Sequence, residues 1–336
     1  MLTPFSQPKI RVGYIGLGDH AWEQLLPALC TTPELELTAI CSRTPAKLEL
    51  FGTKFKPKYT TDNWQELINP GLIDAIVVSA SPQLHYEVVK ACLISNIHCF
   101  VEKPPTQNNT QLLELVELAK ESTSRTFVGY NFSFSDAYAK LKNTLNNSEI
   151  NNAKFRFIVG KLNQSMDGFE TVLESCLFKM FIHPMHTMYQ TFGEYESITL
   201  SEQIFENNKF SQVVCFQFRN GSTAVLDWGN YSNRFECRFE LTNRSSETGT
   251  LDNMGHYEFW NLNSHSHDKA TFKSKEKIVF DNSPLLGGYE RAGYANELSD
   301  WKDAILNNTA TNCELTQSLE VYRAIAEVQR LSKIKF

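Results

Sequence analysis

This sequence of 336 residues contains no apolar run of the roughly 18–20 residues that a membrane-spanning helix needs. It has no Lys/Arg-rich stretch and no basic–aromatic stripe. Its net charge of −6 is spread over interspersed acids and bases, so neither nucleic acid nor a membrane is an expected partner. The eight cysteines are scattered without a CxxC. They read as free, mostly buried thiols in a reducing compartment. The opening residues lack a basic segment followed by a separate apolar stretch, so a cytoplasmic location is expected. No internal repeat or low-complexity segment interrupts the chain. What remains is 42% hydrophobic and 21% charged, an ordinary enzyme composition. The length suits about two domains, with a core that needs neither disulfide nor metal.

The first part of the chain alternates strand and helix. Short apolar runs at Ile10–Ile15, Ala75–Ser79, His98–Val101 and Thr126–Tyr130 read as strands buried on both faces, and Glu36–Cys41 alternates like a strand. Helical spacing falls between them, at Ala21–Leu29, Pro45–Phe51, Leu84–Leu93 and Thr110–Glu121, with a short helix at Trp64–Ile68. Such βα alternation predicts a parallel sheet with helices on both faces. Beyond residue 130 the pattern changes. Helices are expected at Asp136–Leu145, Cys176–Phe192, Asn296–Leu306 and Leu315–Ser332. Strands are expected at Phe155–Gly160, Ile198–Phe205, Gln212–Phe218, Thr223–Trp228, Arg234–Leu241 and Tyr257–Trp260. The expected fold class is therefore α/β. A Rossmann doubly wound parallel sheet occupies 8–130, and an α+β domain with a large, mostly antiparallel open sheet occupies 131–336. The last helix is free to pack back on the first domain.

Gly16-Leu17-Gly18-Asp19-His20-Ala21 follows the first strand and opens a helix, giving GxGxxA, a variant of the dinucleotide fingerprint. Gly16 suits a tight turn, Gly18 lets backbone approach a pyrophosphate, and Ala21 permits close helix–strand packing. The helix start offers unpaired N–H groups to phosphate. The second strand ends in Ser42-Arg43-Thr44, where an NAD-binding domain often carries an acid for the ribose 2′-hydroxyl. Ser, Arg and Thr can hydrogen-bond a 2′-phosphate, so NADP(H) is expected over NAD(H). The alternative is a solvated arginine in a βα loop.

Val101-Glu102-Lys103-Pro104-Pro105, together with the glycine turn, Ser81-Pro82-Gln83-Leu84-His85 and Gly129-Tyr130-Asn131, resembles the Gfo/Idh/MocA family, the glucose–fructose oxidoreductase and inositol dehydrogenase group. The resemblance is strong over residues 10–131 and weaker beyond. It implies hydride transfer on sugars, polyols or related small molecules, and a second-domain sheet that faces the nicotinamide. It puts Glu102, Ser81, Pro82 and His85 beside the cofactor, although His85 equally suits a helix cap or the core. It makes Lys103 a substrate-binding acid/base, and Pro104 stiffens that turn and could be cis.

The family's Asp-x-x-x-His helix corresponds to Lys179-Met180-Phe181-Ile182-His183-Pro184-Met185-His186. His183 matches the family histidine, Lys179 stands where the aspartate is expected, and His186 replaces a later acid. Residues four apart share a helix face, so Lys179 and His183 would both enter the cleft if Pro184 leaves the helix continuous. A Lys–His pair favours anionic substrate groups, and it equally fits lost catalysis. No metal is expected, because no acid or cysteine adjoins His183 and His186. The arginines often found after the sixth strand are Phe132 and Ser133 here. Tyr289, Arg291 and Tyr294, in the late glycine loop, are candidate substrate contacts along with His186. The expected activity is NADP-dependent hydride transfer on a small polar, possibly anionic, molecule, with imine or enone reduction as variants. The alternative is a non-catalytic dinucleotide-binding sensor or scaffold. A homodimer or homotetramer through the C-terminal sheet is also expected.

Overall fold

The computed structural model describes residues 9–261 and 276–336, so residue 8, where the first domain is expected to begin, lies outside the described residues. The chain divides into two compact units. One takes in the described residues up to Asn131 together with Gly288–Leu319, and the other comprises Phe132–Gly287 and Glu320–Phe336.

The first unit holds a six-stranded sheet in the order β3-β2-β1-β4-β5-β6. Its strands are β1 Ile10–Ile15, β2 Leu35–Cys41, β3 Tyr59–Thr61, β4 Ala75–Val78, β5 His98–Glu102 and β6 Thr126–Gly129. Every neighbouring pair is parallel. β1, β4, β5 and β6 are almost wholly buried, as their continuous apolar runs require when helices cover both faces. The chain winds outward one way from β1 to β3 and the other way from β4 to β6. That makes the carboxyl ends of β1 and β4 the switch point where doubly wound sheets bind ligands. Helix Tyr294–Asn307 adds Trp301, which meets Phe100 of β5 edge-on at 5.8 Å, while Phe100 stacks on Phe127 of β6.

The second unit holds an eight-stranded sheet in the order β14-β13-β12-β11-β7-β10-β9-β8. These are β7 Ile150–Val159, β8 Tyr195–Phe205, β9 Lys209–Phe218, β10 Thr223–Gly229, β11 Phe235–Asn243, β12 Thr248–Asp252, β13 His256–Asn261 and β14 Glu276–Asp281. All neighbours are antiparallel except β7 and β10, which are parallel. Period-two alternation gives the sheet one apolar face, with Phe155, Phe157, Phe216, Leu226, Trp228 and Phe239 buried. The other face carries Lys154, Arg156, Val213, Val225 and Arg238.

The long helix expected at Cys176–Phe192 begins earlier and is not uniform. Val172–Cys176 is α-helical, Leu177–Phe181 widens to π geometry, and Ile182–Phe192 is α-helical again. Ile182 N–H reaches back five residues to the Leu177 carbonyl. Pro184 has no N–H for the Met180 carbonyl, and the wide turn ahead of it absorbs the mismatch.

Candidate active site

The glycine turn is built around a backbone conformation that only glycine adopts without strain. Gly16 has φ +99°, and a Cβ there would stand 2.0 Å from the Ser79 carbonyl oxygen at the end of β4. Gly18 is the opposite case, since a Cβ there would meet nothing within 4 Å. The space it faces belongs to a cleft of about 800 Å³. Gly16, Leu17 and Gly18 line it with Ser42, Arg43, Thr44 and Lys47 after β2, Asp62–Gln65 after β3, and Ser79–Ser81 after β4. Helix starts surround it: Ser81 caps Pro82–Ile94 by accepting from Leu84 N–H, and Asn63 caps Trp64–Leu67 by accepting from Gln65 N–H. An open glycine cradle at the switch point, with cationic side chains on the outer rim, fits a dinucleotide phosphate chain.

Of the residues expected at the cofactor, the cleft brings together Gly16, Gly18, Ser42, Arg43, Thr44 and Ser81. Asp19 is exposed beside it, while Ala21 and Pro82 are buried. Ala21 instead opens a five-residue π turn, Ala21–Leu25, ahead of helix Leu26–Thr31. His85 is buried and bridges two backbone segments. Its Nε2 accepts from Ala80 N–H at 2.8 Å, so Nδ1 carries the proton and donates to the Pro104 carbonyl, also at 2.8 Å. It thereby ties the end of β4 to the turn after β5, where the Lys103–Pro104 peptide is cis. Asp62, Trp64 and Gln65 are cleft residues that the sequence did not single out; the short β3 that delivers them carries only three residues of signal.

His20 follows the turn, at the start of the helix. Its Nε2 is 3.0 Å from the Tyr294 hydroxyl and 3.9 Å from Glu102 Oε1, and its Nδ1 is 3.4 Å from Ser79 Oγ. Tyr294, singled out as a substrate contact, is thus engaged inside the first unit. Burial first, then the charges of Glu102 and Glu297, pushes its hydroxyl well above the usual tyrosine range. Tyr289 is half-buried and Arg291 exposed, both in the single helical turn Gly288–Arg291. Asn131 Nδ2 donates to the Ala292 carbonyl at 2.9 Å and anchors that turn.

In the second unit, Phe132 and Ser133 hold the two histidines. The Phe132 ring stacks on His183 at 4.5 Å between centroids, with Phe157 at 6.3 Å on another side. Ser133 Oγ is 2.9 Å from His186 Nδ1. Lys179 forms an ion pair with Asp167, which the loop between β7 and Val172–Cys176 supplies. Asp167 has φ +57°, in the left-handed region, and Gly168 follows at +84°. A carboxylate is therefore present beside this helix, offered from a loop rather than at position 179. Among the described residues no cluster of three or more metal-ligating side chains occurs, and no helix is long and apolar enough to cross a membrane.

Residues 10–130 match the profile of the GFO_IDH_MocA family, an oxidoreductase family with an NAD-binding Rossmann fold. A dTDP-3,4-didehydro-2,6-dideoxy-alpha-D-glucose 3-reductase of Saccharopolyspora spinosa is 31% identical over 141 residues, 42% of each chain. An inositol 2-dehydrogenase/D-chiro-inositol 3-dehydrogenase of Lactiplantibacillus plantarum is 24% identical over 42% of this chain and 41% of its own. The chain thus spans about two fifths of the length of these relatives in the matched stretch. A solved dehydrogenase from Chromobacterium violaceum is similar over 97% of this chain and 95% of its own, with 26% identity and a TM-score of 0.89.

Proposed function

We propose that the chain, whose residues 10–130 match the profile of the GFO_IDH_MocA oxidoreductase family, is an NADP(H)-dependent oxidoreductase of a small polar substrate, a sugar, polyol or related molecule. The observation that carries this reading is the open cradle at Gly18, set at the switch point of a parallel sheet with Ser42, Arg43 and Thr44 on the rim of the same cleft. A bound nicotinamide supplies or accepts the hydride. The chain's part is to hold the cofactor and move a proton. Backbone N–H groups after Gly16 take the pyrophosphate, and Ser42, Arg43, Thr44 and Lys47 take a 2′-phosphate. Asp62 shares that rim, and its charge opposes a 2′-phosphate, so the preference for NADP(H) depends on Arg43 and Lys47 outweighing it. Lys103 is the acid/base in a turn fixed by His85, and His183 is a substrate contact of the second unit. An anionic substrate group would compete with Asp167 for Lys179. The dehydrogenase and reductase named among the relatives support the sugar-like substrate class.

The outer face of the eight-stranded sheet, with Val213 and Val225 exposed, is the surface for a homodimer or homotetramer, and light scattering reads that directly. The free cysteines suit a reducing, cytoplasmic setting. One observation favours a second reading, a cofactor-binding protein without turnover: the position that carries the family aspartate is a lysine. A panel of sugars, polyols, sugar acids and imines, followed by nicotinamide absorbance with both cofactors, separates the two. Turnover with NADP(H) that drops about 10²- to 10⁴-fold in Lys103→Ala supports the enzyme. Tight cofactor binding with no turnover on any class would establish the second reading.

A further inference from the structure

Pro104 and Pro105 follow Lys103 and bring no N–H to the turn after β5. The Pro104 carbonyl is buried there, so it needs a donor from elsewhere. His85 supplies it from near the start of helix Pro82–Ile94, with 1% of its surface exposed. Its Nδ1–H donates to the Pro104 carbonyl, and its Nε2 accepts from Ala80 N–H, each at 2.8 Å. An imidazolium would turn a second N–H against Ala80 N–H, so only the neutral ring with its proton on Nδ1 satisfies both partners.

The Ala80 side has a geometry of its own. Ser79 and Ala80 share one trans peptide group, whose oxygen and hydrogen point in opposite directions. The oxygen faces the glycine turn, where a Cβ on Gly16 would stand 2.0 Å from it. The N–H faces the His85 ring. One peptide is thus gripped between the glycine turn and the histidine, and Ser79, Ala80 and Ser81 all line the cleft. A stiff ring with two nitrogens at fixed separation sets the spacing between that cleft wall and the turn that carries Lys103. A simple helix cap or core histidine has no need of two backbone partners from two different strand ends.

We propose that His85 is a positioning residue with two separable tasks. Through Nε2 it holds the Ser79–Ala80 peptide at the cofactor cleft, and through Nδ1 it holds the turn that presents Lys103. This rests on the reading of the cleft as a dinucleotide site and of Lys103 as the acid/base. Two substitutions divide the tasks. In H85Q the side-chain amide lies where Nε2 was, so its oxygen can accept from Ala80 N–H while the Pro104 carbonyl loses its donor. In H85N the amide lies where Nδ1 was, so its nitrogen can donate to Pro104 while Ala80 N–H loses its acceptor.

The test follows amide hydrogen exchange at Ala80, Lys103 and Thr106 in both variants, without cofactor, and NADPH binding by calorimetry. H85N should speed exchange at Ala80 about tenfold or more and weaken NADPH about tenfold more than H85Q does. H85Q should instead speed exchange at Lys103 and Thr106, and lower kcat about tenfold with KM little changed. Two variants that loosen both ends alike overturn the proposal and leave His85 a structural tie. Should a variant fail to fold, nitrogen NMR of the histidine rings in wild type still decides. A ring with its proton on Nε2 cannot accept from Ala80 and overturns the proposal, whereas a proton on Nδ1 supports it. Exchange and NMR need neither cofactor nor turnover. A protein that binds no NADPH would therefore sink the cofactor reading, while the crossed exchange pattern at Ala80 and Lys103 still decides the two-ended hold.

Discussion

Among the described residues two helices widen to π geometry, at Ala21–Leu25 and at Leu177–Phe181, and they use the wide turn in opposite ways. The first follows a glycine turn that leaves open space above backbone, with nothing within 4 Å of a Cβ at Gly18. The second is closed in, with Leu177, Phe178, Met180 and Phe181 buried and each polar neighbour engaged by a residue from another segment. Lys179 meets Asp167, His183 meets Phe132, and His186 meets Ser133. The comparison teaches how two kinds of recognition are encoded. A phosphate held by backbone needs small residues at fixed spacing in one short segment. A cluster of side chains needs partners brought from far along the chain.

The two regions should therefore break differently, the first when atoms are added and the second when a partner is removed. The largest effects belong to the glycines. Gly16→Ala should cost about 3 kcal/mol or more in urea unfolding, from positive φ and the clash with Ser79. Gly18→Val should fold like wild type yet weaken NADPH about 100-fold by calorimetry, close to 2.7 kcal/mol. If Gly18→Val instead melts early and binds normally, the open space is not the phosphate site. The smallest effect belongs to the second region. Asp167→Asn should cost no more than about 1 kcal/mol, because the ion pair is partly exposed and screened. It should also let malonate bind more tightly, since Lys179 then lacks its own carboxylate. A larger stability loss with no gain in malonate binding would make the pair a structural tie.

The same contrast explains what the sequence could reveal. The strand–glycine–helix unit was legible because Gly16 answers a local steric demand and Gly18 follows it at the fingerprint spacing, and the parallel sheet because its strands are continuously apolar. The start of the second helix was missed, yet a signal was there. Thr171-Val172-Leu173-Glu174 is a capping-box sequence, and Thr171 does accept from Glu174 N–H at 3.1 Å. β12 was missed because Thr248–Asp252 is short and contains Gly249. A Cβ there would stand 2.3 Å from Leu141 Cδ1, so a larger residue would have to displace that side chain. Asp167 carries no sequence signal, since it lies in a loop with positive φ and no periodicity. Glu297 was hidden because a buried, unpartnered acid in an amphipathic helix runs against composition rules. Phe132 and Ser133 were noted as departures from the family's arginines, but their partnership with the two histidines is a matter of tertiary packing.

The central claim is that the open glycine cleft binds NADP(H) and that its outer rim selects the phosphate. Titration of the protein with NADPH and with NADH, repeated on Arg43→Ala, tests it most directly. NADPH should bind the tighter, and Arg43→Ala should narrow the difference about tenfold, close to 1.4 kcal/mol, with NADH unaffected. Equal binding of the two cofactors, or a preference that Arg43→Ala leaves untouched, would contradict it.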